Sequence, residues 1–125
     1  MSRFVYAPVE MPPEAVKLRA QVRAFCEEER AAGRFEPAVG SMVAADEAFS
    51  AKLGERGWLG MTWPKQYGGH ERSALERYVV VEELLAAGAP VMAHWIADRQ
   101  SGPQILRHGS ERAKNEILPR VAAGK

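Results

Sequence analysis

A single cysteine, Cys26, occurs in 125 residues. An internal disulfide and every all-cysteine metal site are therefore excluded, and a reducing compartment is compatible. An excess of charge of either sign is also missing, since 17 Lys and Arg stand against 16 Asp and Glu for a net +1. No global field draws the chain to nucleic acid, so any phosphate contact has to be local. Long hydrophobic runs are missing too. The most apolar one, Tyr78 to Val81, is closed by Glu82 and Glu83, far below the ~20 residues that cross a bilayer. Met1 to Pro13 carries a lone Arg3 and lacks the apolar stretch of a secretory signal. The expectation is a soluble, cytoplasmic protein with neither nucleic acid nor membrane as partner.

The common signatures of catalysis are absent as well. There is no G-x-S-x-G, H-E-x-x-H, G-x-x-x-x-G-K-[ST] or G-x-G-x-x-G. His70, His94 and His108 are too scattered for a metal site to be read from the sequence.

What is present is a concentrated aromatic and glycine segment, Gly57 to Gly69. It combines Trp58, Trp63 and Tyr67 with Gly57, Gly60, Gly68, Gly69 and Pro64. Large amphipathic rings beside residues of free backbone conformation read as a fixed, partly buried turn between helices, with a structural role favoured over a ligand site.

The rest of the chain reads as helix. After Pro12 and Pro13, apolar residues fall at Ala15, Leu18, Val22 and Phe25, a spacing of three and four that predicts a first helix ending near Gly33. Phe35 to Gly40 is a connector. A second helix is expected through Met42, Ala45, Phe49 and Leu53, capped by Ser41 and closed by Gly54 or Gly57. Ser73-Ala74-Leu75-Glu76 forms a capping box. The valines at 79, 80 and 81 favour a strand, but Glu82 and Glu83 would then send one carboxylate inward in either register. Helix is the better reading, with Gly88 at its end. Pro90 is expected to open the next helix, which Gly102 and Pro103 interrupt. A short helix from Gln104 to His108 then stops at Gly109 in a left-handed cap, and Ser110 caps a last helix carrying Ile117, Leu118 and Val121. The fold class is all-α, a helical bundle of one domain over residues 1–125, with about 1–13 extended.

Three polar groupings merit weighing. His94 and Asp98 stand four apart and favour a local helix contact over a binding role. Glu82 and Glu83 are adjacent, so on a helix they diverge by about 100° and do not form an acid and base pair; a solvated face is the expectation. Asp98-Arg99-Gln100 leads into the Gly102-Pro103 break, which either borders a pocket or turns a polar face outward.

In order along the chain, Gly57-Trp58-Leu59-Gly60 leading to Trp63-Pro64-Lys65-Gln66-Tyr67-Gly68-Gly69, then Val81-Glu82-Glu83-Leu84, then Gln104-Ile105-Leu106-Arg107-His108-Gly109-Ser110-Glu111 and Leu118-Pro119-Arg120-Val121-Ala122-Ala123-Gly124 resemble the N-terminal helical domain of the acyl-CoA dehydrogenase family. The resemblance covers roughly the last 70 residues. It implies an FAD-dependent α,β-dehydrogenation of an acyl-CoA thioester, in which a glutamate takes the α proton and the flavin the β hydride. It also implies a β-barrel middle domain and a helical C-terminal domain, which hold most of the flavin contacts and the catalytic glutamate. No catalytic, flavin-binding or metal residue is expected within this chain, and Glu82 and Glu83 are not assigned to such roles.

What carries over is the helix lining the far end of the acyl cavity. On this chain it supplies Met92, Trp95, Ile96, Arg99 and Gln100 as the substrate-pocket residues, a set similar to that of relatives acting on bulky acyl groups such as steroid side-chain thioesters. The partners implied are acyl-CoA, the middle and C-terminal domains of a longer chain, and further subunits in a homo- or hetero-oligomer. The chain is accordingly expected to be a piece of a longer enzyme and inactive alone. Two rival readings remain: a stand-alone helical interaction module, and a flavin-dependent oxidase or monooxygenase built on the same scaffold.

Overall fold

A computed structural model describes residues 6–38 and 44–125. Its elements are α1 (Pro13–Ala31), α2 (Glu47–Glu55), α3 (Ala74–Ala86), α4 (Met92–Ile96), α5 (Gly102–His108) and α6 (Glu111–Ala122). A single 3-10 turn, Lys65–Tyr67, lies between α2 and α3, and a π turn, Ala97–Ser101, joins α4 to α5. Among the described residues the only extended pairing is one isolated antiparallel bridge, Ala45 to Val91. The all-α reading holds.

The apolar spacing in α1 builds the larger core. Ala15, Leu18, Val22 and Phe25 are buried against Phe49 and Leu53 of α2, Val79, Val80 and Leu84 of α3, and Trp58, Leu59 and Met61 of the aromatic segment. Phe25 sits at its centre, with ring centroids 5.5 Å from Phe49 and 5.4 Å edge-on from Trp58. Burying each such side chain contributes about 1.5–3 kcal/mol. A second, smaller core gathers Trp63, Tyr67, Leu118 and Ala122, with Ile105, Leu106 and Val121 packed on it.

Several local readings need correction. Ser41 and Met42 lie outside the described residues, but α2 starts at Glu47 with Asp46 as its cap, the carboxylate accepting from Phe49 N at 2.8 Å. Ala45 stays extended because it pairs with Val91. That pairing also delays the next helix: Met92 N donates to Ala44 O at 3.0 Å, and α4 opens after Val91, leaving Pro90 before the helix. The capping box of α3 is complete in both directions, and Gly88 follows the helix at φ 65°.

The expected break at Gly102 and Pro103 does not occur. From Met92 to His108 the backbone stays helical, and Gly102 N bonds to Ala97 O, one residue beyond the α-helical partner. Proline normally disrupts a helix because its ring meets the carbonyl four residues earlier and it donates no hydrogen. Widening the preceding turn makes room for Pro103 and keeps the rod continuous. Gly109 is likewise extended, at φ −70° and ψ 156°, rather than left-handed. Ser110 does cap α6, accepting from Ala113 N.

The aromatic segment doubles back on itself. His70 N bonds to Gly60 O, Glu71 N to Trp63 O, and Arg72 N to Met61 O. A Cβ on Gly69 would lie 2.2 Å from Trp63 O, and one on Gly102 would lie 2.3 Å from Cζ2 of the Trp63 ring. Trp63 thus fills the space left by two glycines.

Gly102→Ala is expected to cost about 1–3 kcal/mol through overpacking against Trp63, whereas Ser101→Ala, exposed on the same rod, should stay within ~0.5 kcal/mol. Urea unfolding of both variants measures the difference, and equal stabilities would contradict this packing.

Candidate functional site

Beside Glu29, paired with Arg34 and Lys52, and Glu76, paired with Arg72 and Ser73, two further groups of interior polar residues are partnered. Between α1 and α3, the buried Glu83 carboxylate accepts from Arg19 at 2.9 Å and from Arg23 at 2.8 and 2.9 Å, and Arg19 also pairs with Glu82. The solvated face expected for Glu82 and Glu83 therefore applies only in part: Glu82 is half-buried, and Glu83 is buried in a clamp between two helices. Arg23, followed by Arg19, holds the Glu83 carboxyl below its usual range, opposing the effect of burial. This arrangement ties helices together and leaves no free base.

The second group centres on the continuous helix. His94 and Asp98 are both buried, yet the expected contact between them is not made. His94 Nδ1 lies 2.9 Å from Ser50 Oγ on α2, and Asp98 Oδ1 accepts from Gly60 N at 2.7 Å. Each residue anchors the helix to a different neighbour. Burial raises the Asp98 carboxyl above its ordinary value, opposed by the Gly60 amide. Burial also pushes the His94 imidazole down to about 4. Sequence spacing placed the pair on the helix but missed Ser50 and the Gly60 amide, whose approach depends on tertiary packing.

The five pocket candidates occupy one stripe on this helix with graded exposure. Met92, Trp95 and Arg99 are half-buried, while Ile96 and Gln100 are exposed. The Arg99 guanidinium stacks over the Trp95 ring at 4.9 Å from its centroid. The two border a small cavity of about 20 Å³ shared with Arg77, Val81 and Asp98. Arg99 and Gln100 also line an open depression of about 670 Å³ with Pro103, Gln104 and Ile105. Of the polar trio at positions 98 to 100, Asp98 points into the interior and the other two reach the surface.

Trp58, Trp63 and Tyr67 are buried, which accords with the structural reading of the aromatic turn. The Tyr67 hydroxyl donates to Glu111 Oε2 at 2.8 Å and so joins that turn to the first turn of α6. Among the described residues no group of three or more His, Cys, Asp or Glu could hold a metal, and no helix is long and apolar enough to cross a membrane.

The fold is thus an all-helical domain whose interior carboxylates, Glu29, Glu76, Glu83 and Asp98, are each met by a donor. The sequence matches the acyl-CoA dehydrogenase N-terminal domain over residues 12–125, and the chain belongs to the acyl-CoA dehydrogenase family. It is 40% identical over 74 residues to acyl-CoA dehydrogenase FadE26 of Mycobacterium tuberculosis, an alignment covering 59% of this chain and 18% of that protein. It is 28% identical over 125 positions to FadE29 of the same organism, covering 94% of this chain and 30% of the relative. Among solved structures, the ChsE4-ChsE5 complex from Mycobacterium tuberculosis superposes with a TM-score of 0.71 at 31% identity, over 94% of this chain and 30% of that one. The Tcur3481-Tcur3483 steroid ACAD gives 0.67 at 31% identity, over 92% and 30%. The chain thus spans 30% or less of the length of these relatives.

The His94 shift has a definite sign. Its pKa is near 6.5 when unfolded and about 4 in the fold, so below pH 6.5 the unfolded state binds more protons and stability falls as pH drops. About 2 kcal/mol should be lost between pH 7 and pH 5 through this group, and His70, also lowered by burial, tilts the slope the same way. Urea unfolding at the two pH values is expected to show a smaller loss for His94→Gln, and an unchanged slope would contradict the burial of a neutral imidazole.

Proposed function

We propose that this domain serves an FAD-dependent acyl-CoA dehydrogenase, which removes hydrogens from the α and β carbons of an acyl-CoA thioester, and that it forms one wall of the acyl pocket. The observation that carries this reading is the unbroken helix Met92 to His108, widened at Ala97 to Ser101, which keeps Met92, Trp95, Ile96, Arg99 and Gln100 on one rigid support. An exposed Ile96 beside the stacked Trp95 and Arg99 offers an apolar surface with a fixed cation. That combination suits a bulky, partly polar acyl group better than a plain aliphatic chain. The likeness to a solved steroid ACAD supports the same direction, and a role in lipid breakdown is part of this reading.

No flavin contact is assigned to this chain in the same reading. The buried carboxylates among the described residues are already met by donors of this chain, and His70 Nε2 is the one sealed side-chain nitrogen or oxygen without a partner among them. The flavin in this reading is held by middle and C-terminal domains of the longer chain, and no chemical step is assigned to residues of this one. Its contribution is to bind, shape and shield the distal acyl group. Assembly into a homo- or hetero-oligomer is part of the same proposal, favoured by the two-component complexes among the structural neighbours.

In the full-length enzyme, Trp95→Ala is expected to change the ranking of acyl-CoA substrates by kcat/KM at least tenfold, about 1.4 kcal/mol, with flavin content preserved. Absorbance of the purified protein reads the flavin, and steady-state kinetics on short, branched and polycyclic acyl-CoA thioesters reads the ranking. Lost flavin with an unaltered ranking would overturn the assignment.

A further inference from the structure

Among the described residues four arginines are half-buried: Arg19, Arg72, Arg77 and Arg99. Two of them are met by carboxylates, Arg19 by Glu82 and Glu83 and Arg72 by Glu76. Arg77 and Arg99 are met by none. Neither guanidinium makes an ion pair or a hydrogen bond with a described residue, and residues 1–5 and 39–43, outside the described ones, contain no Asp or Glu.

The two come from different elements yet border one space. Arg77, on α3, and Arg99, on the π turn, line the same cavity of about 20 Å³ with Trp95 and Asp98. Asp98 is the single carboxylate of that lining, and its Oδ1 is spent on Gly60 N. Burial raises the Asp98 carboxyl, and the Gly60 amide, Arg99 and Arg77 oppose the rise, so both cations act on one acid. Positive charge is left over. A guanidinium stays charged at every working pH, and partial burial removes hydration that no counter-ion here replaces. Stacking on Trp95, 4.9 Å from the ring centroid, braces Arg99 in position. The cavity has room for about one water, so an anion has to meet the pair from outside it. Arg99 also lines the open depression of about 670 Å³ with Gln100 and Gln104, and no acidic residue stands among the described residues that line it.

We propose that Arg77 and Arg99 together bind a carboxylate at the far end of the acyl group, so that the substrates are acyl-CoA thioesters carrying a second, free carboxylate. This rests on the reading of the Met92 to Gln100 stripe as the acyl wall. A guanidinium suits a carboxylate because its forked donors match the two oxygens and the charge is met in the same contact. A ketone or hydroxyl in that place accepts hydrogen bonds but leaves both charges standing. The phosphates of CoA lie at the opposite end of the thioester from the distal acyl carbon, so they do not compete for the pair. The exposed Gln100 and Gln104 bring amide donors to the same depression.

The test uses the full-length enzyme with matched acyl-CoA thioesters, one ended by a carboxylate and one by a methyl group. The kcat/KM ratio is expected to favour the carboxylate by roughly tenfold or more, the effect of one charge-assisted contact. In Arg77→Met and in Arg99→Met that ratio should fall by about tenfold, mostly through KM. Arg77→Lys, which keeps the charge, should retain more of it than Arg77→Met. Trp95→Ala separates this site from the wall: an altered ranking of uncharged thioesters there, beside a carboxylate ratio that both Met variants leave unchanged, would overturn the carboxylate site alone. An unaltered ranking together with an unchanged ratio would overturn both readings. A parent enzyme that does not favour the carboxylate also overturns the site. So does a ligand-free melting temperature that drops in both Met variants while the ratio holds, the result expected if an acidic side chain of the longer chain fills the pair.

Discussion

The Asp98 carboxylate accepting the Gly60 amide is the contact on which the rest of the structure depends. It is the one buried side-chain bond among the described residues that fastens the glycine and tryptophan turn to the helix following it. With that contact made, Trp63 lies across Gly102, the π turn takes up Pro103, and the helix runs unbroken from Met92 to His108. An ionised group in such a setting is costly unless it is met by a donor, and Gly60 is positioned to be that donor by its own left-handed backbone, φ 59°. A Cβ at Gly60 would come within 2.9 Å of the Trp63 ring. One glycine thus allows both the close approach of the ring and the amide geometry.

Much of this architecture was legible in the residues. The three and four spacing of α1, the capping box of α3 and the Ser110 cap each act over a single helical turn, so local sequence specifies them. The readings that failed depend on distant partners. Ala45 stays out of α2 because Val91 pairs with it, Glu83 is buried because Arg19 and Arg23 sit opposite on α1, and Pro103 is tolerated because a wider turn precedes it. A proline after a glycine is a reliable local signal for a break, and here tertiary packing overrides it. The His94 and Asp98 pair shows the same limit, since spacing places two residues on a helix without revealing which other elements reach them.

Function divides along the same line. The aromatic turn carries the family signature yet is consumed by packing, with its rings buried and the Tyr67 hydroxyl spent on Glu111. The positions proposed to meet a ligand lie on the helix which that turn supports, where Ile96 and Gln100 remain exposed and Arg99 is braced on Trp95. In the proposed reading, rigid support of the wall contributes to specificity, because an acyl group held by fixed side chains loses less on binding than one held by mobile ones.

The most direct test of this division is a crystal structure of the full-length enzyme with a bulky acyl-CoA bound. The account predicts that the distal acyl group rests against the stripe from Met92 to Gln100, with Trp63 and Tyr67 untouched by ligand. An acyl group seated instead on the aromatic turn, with that stripe facing away from it, would contradict it.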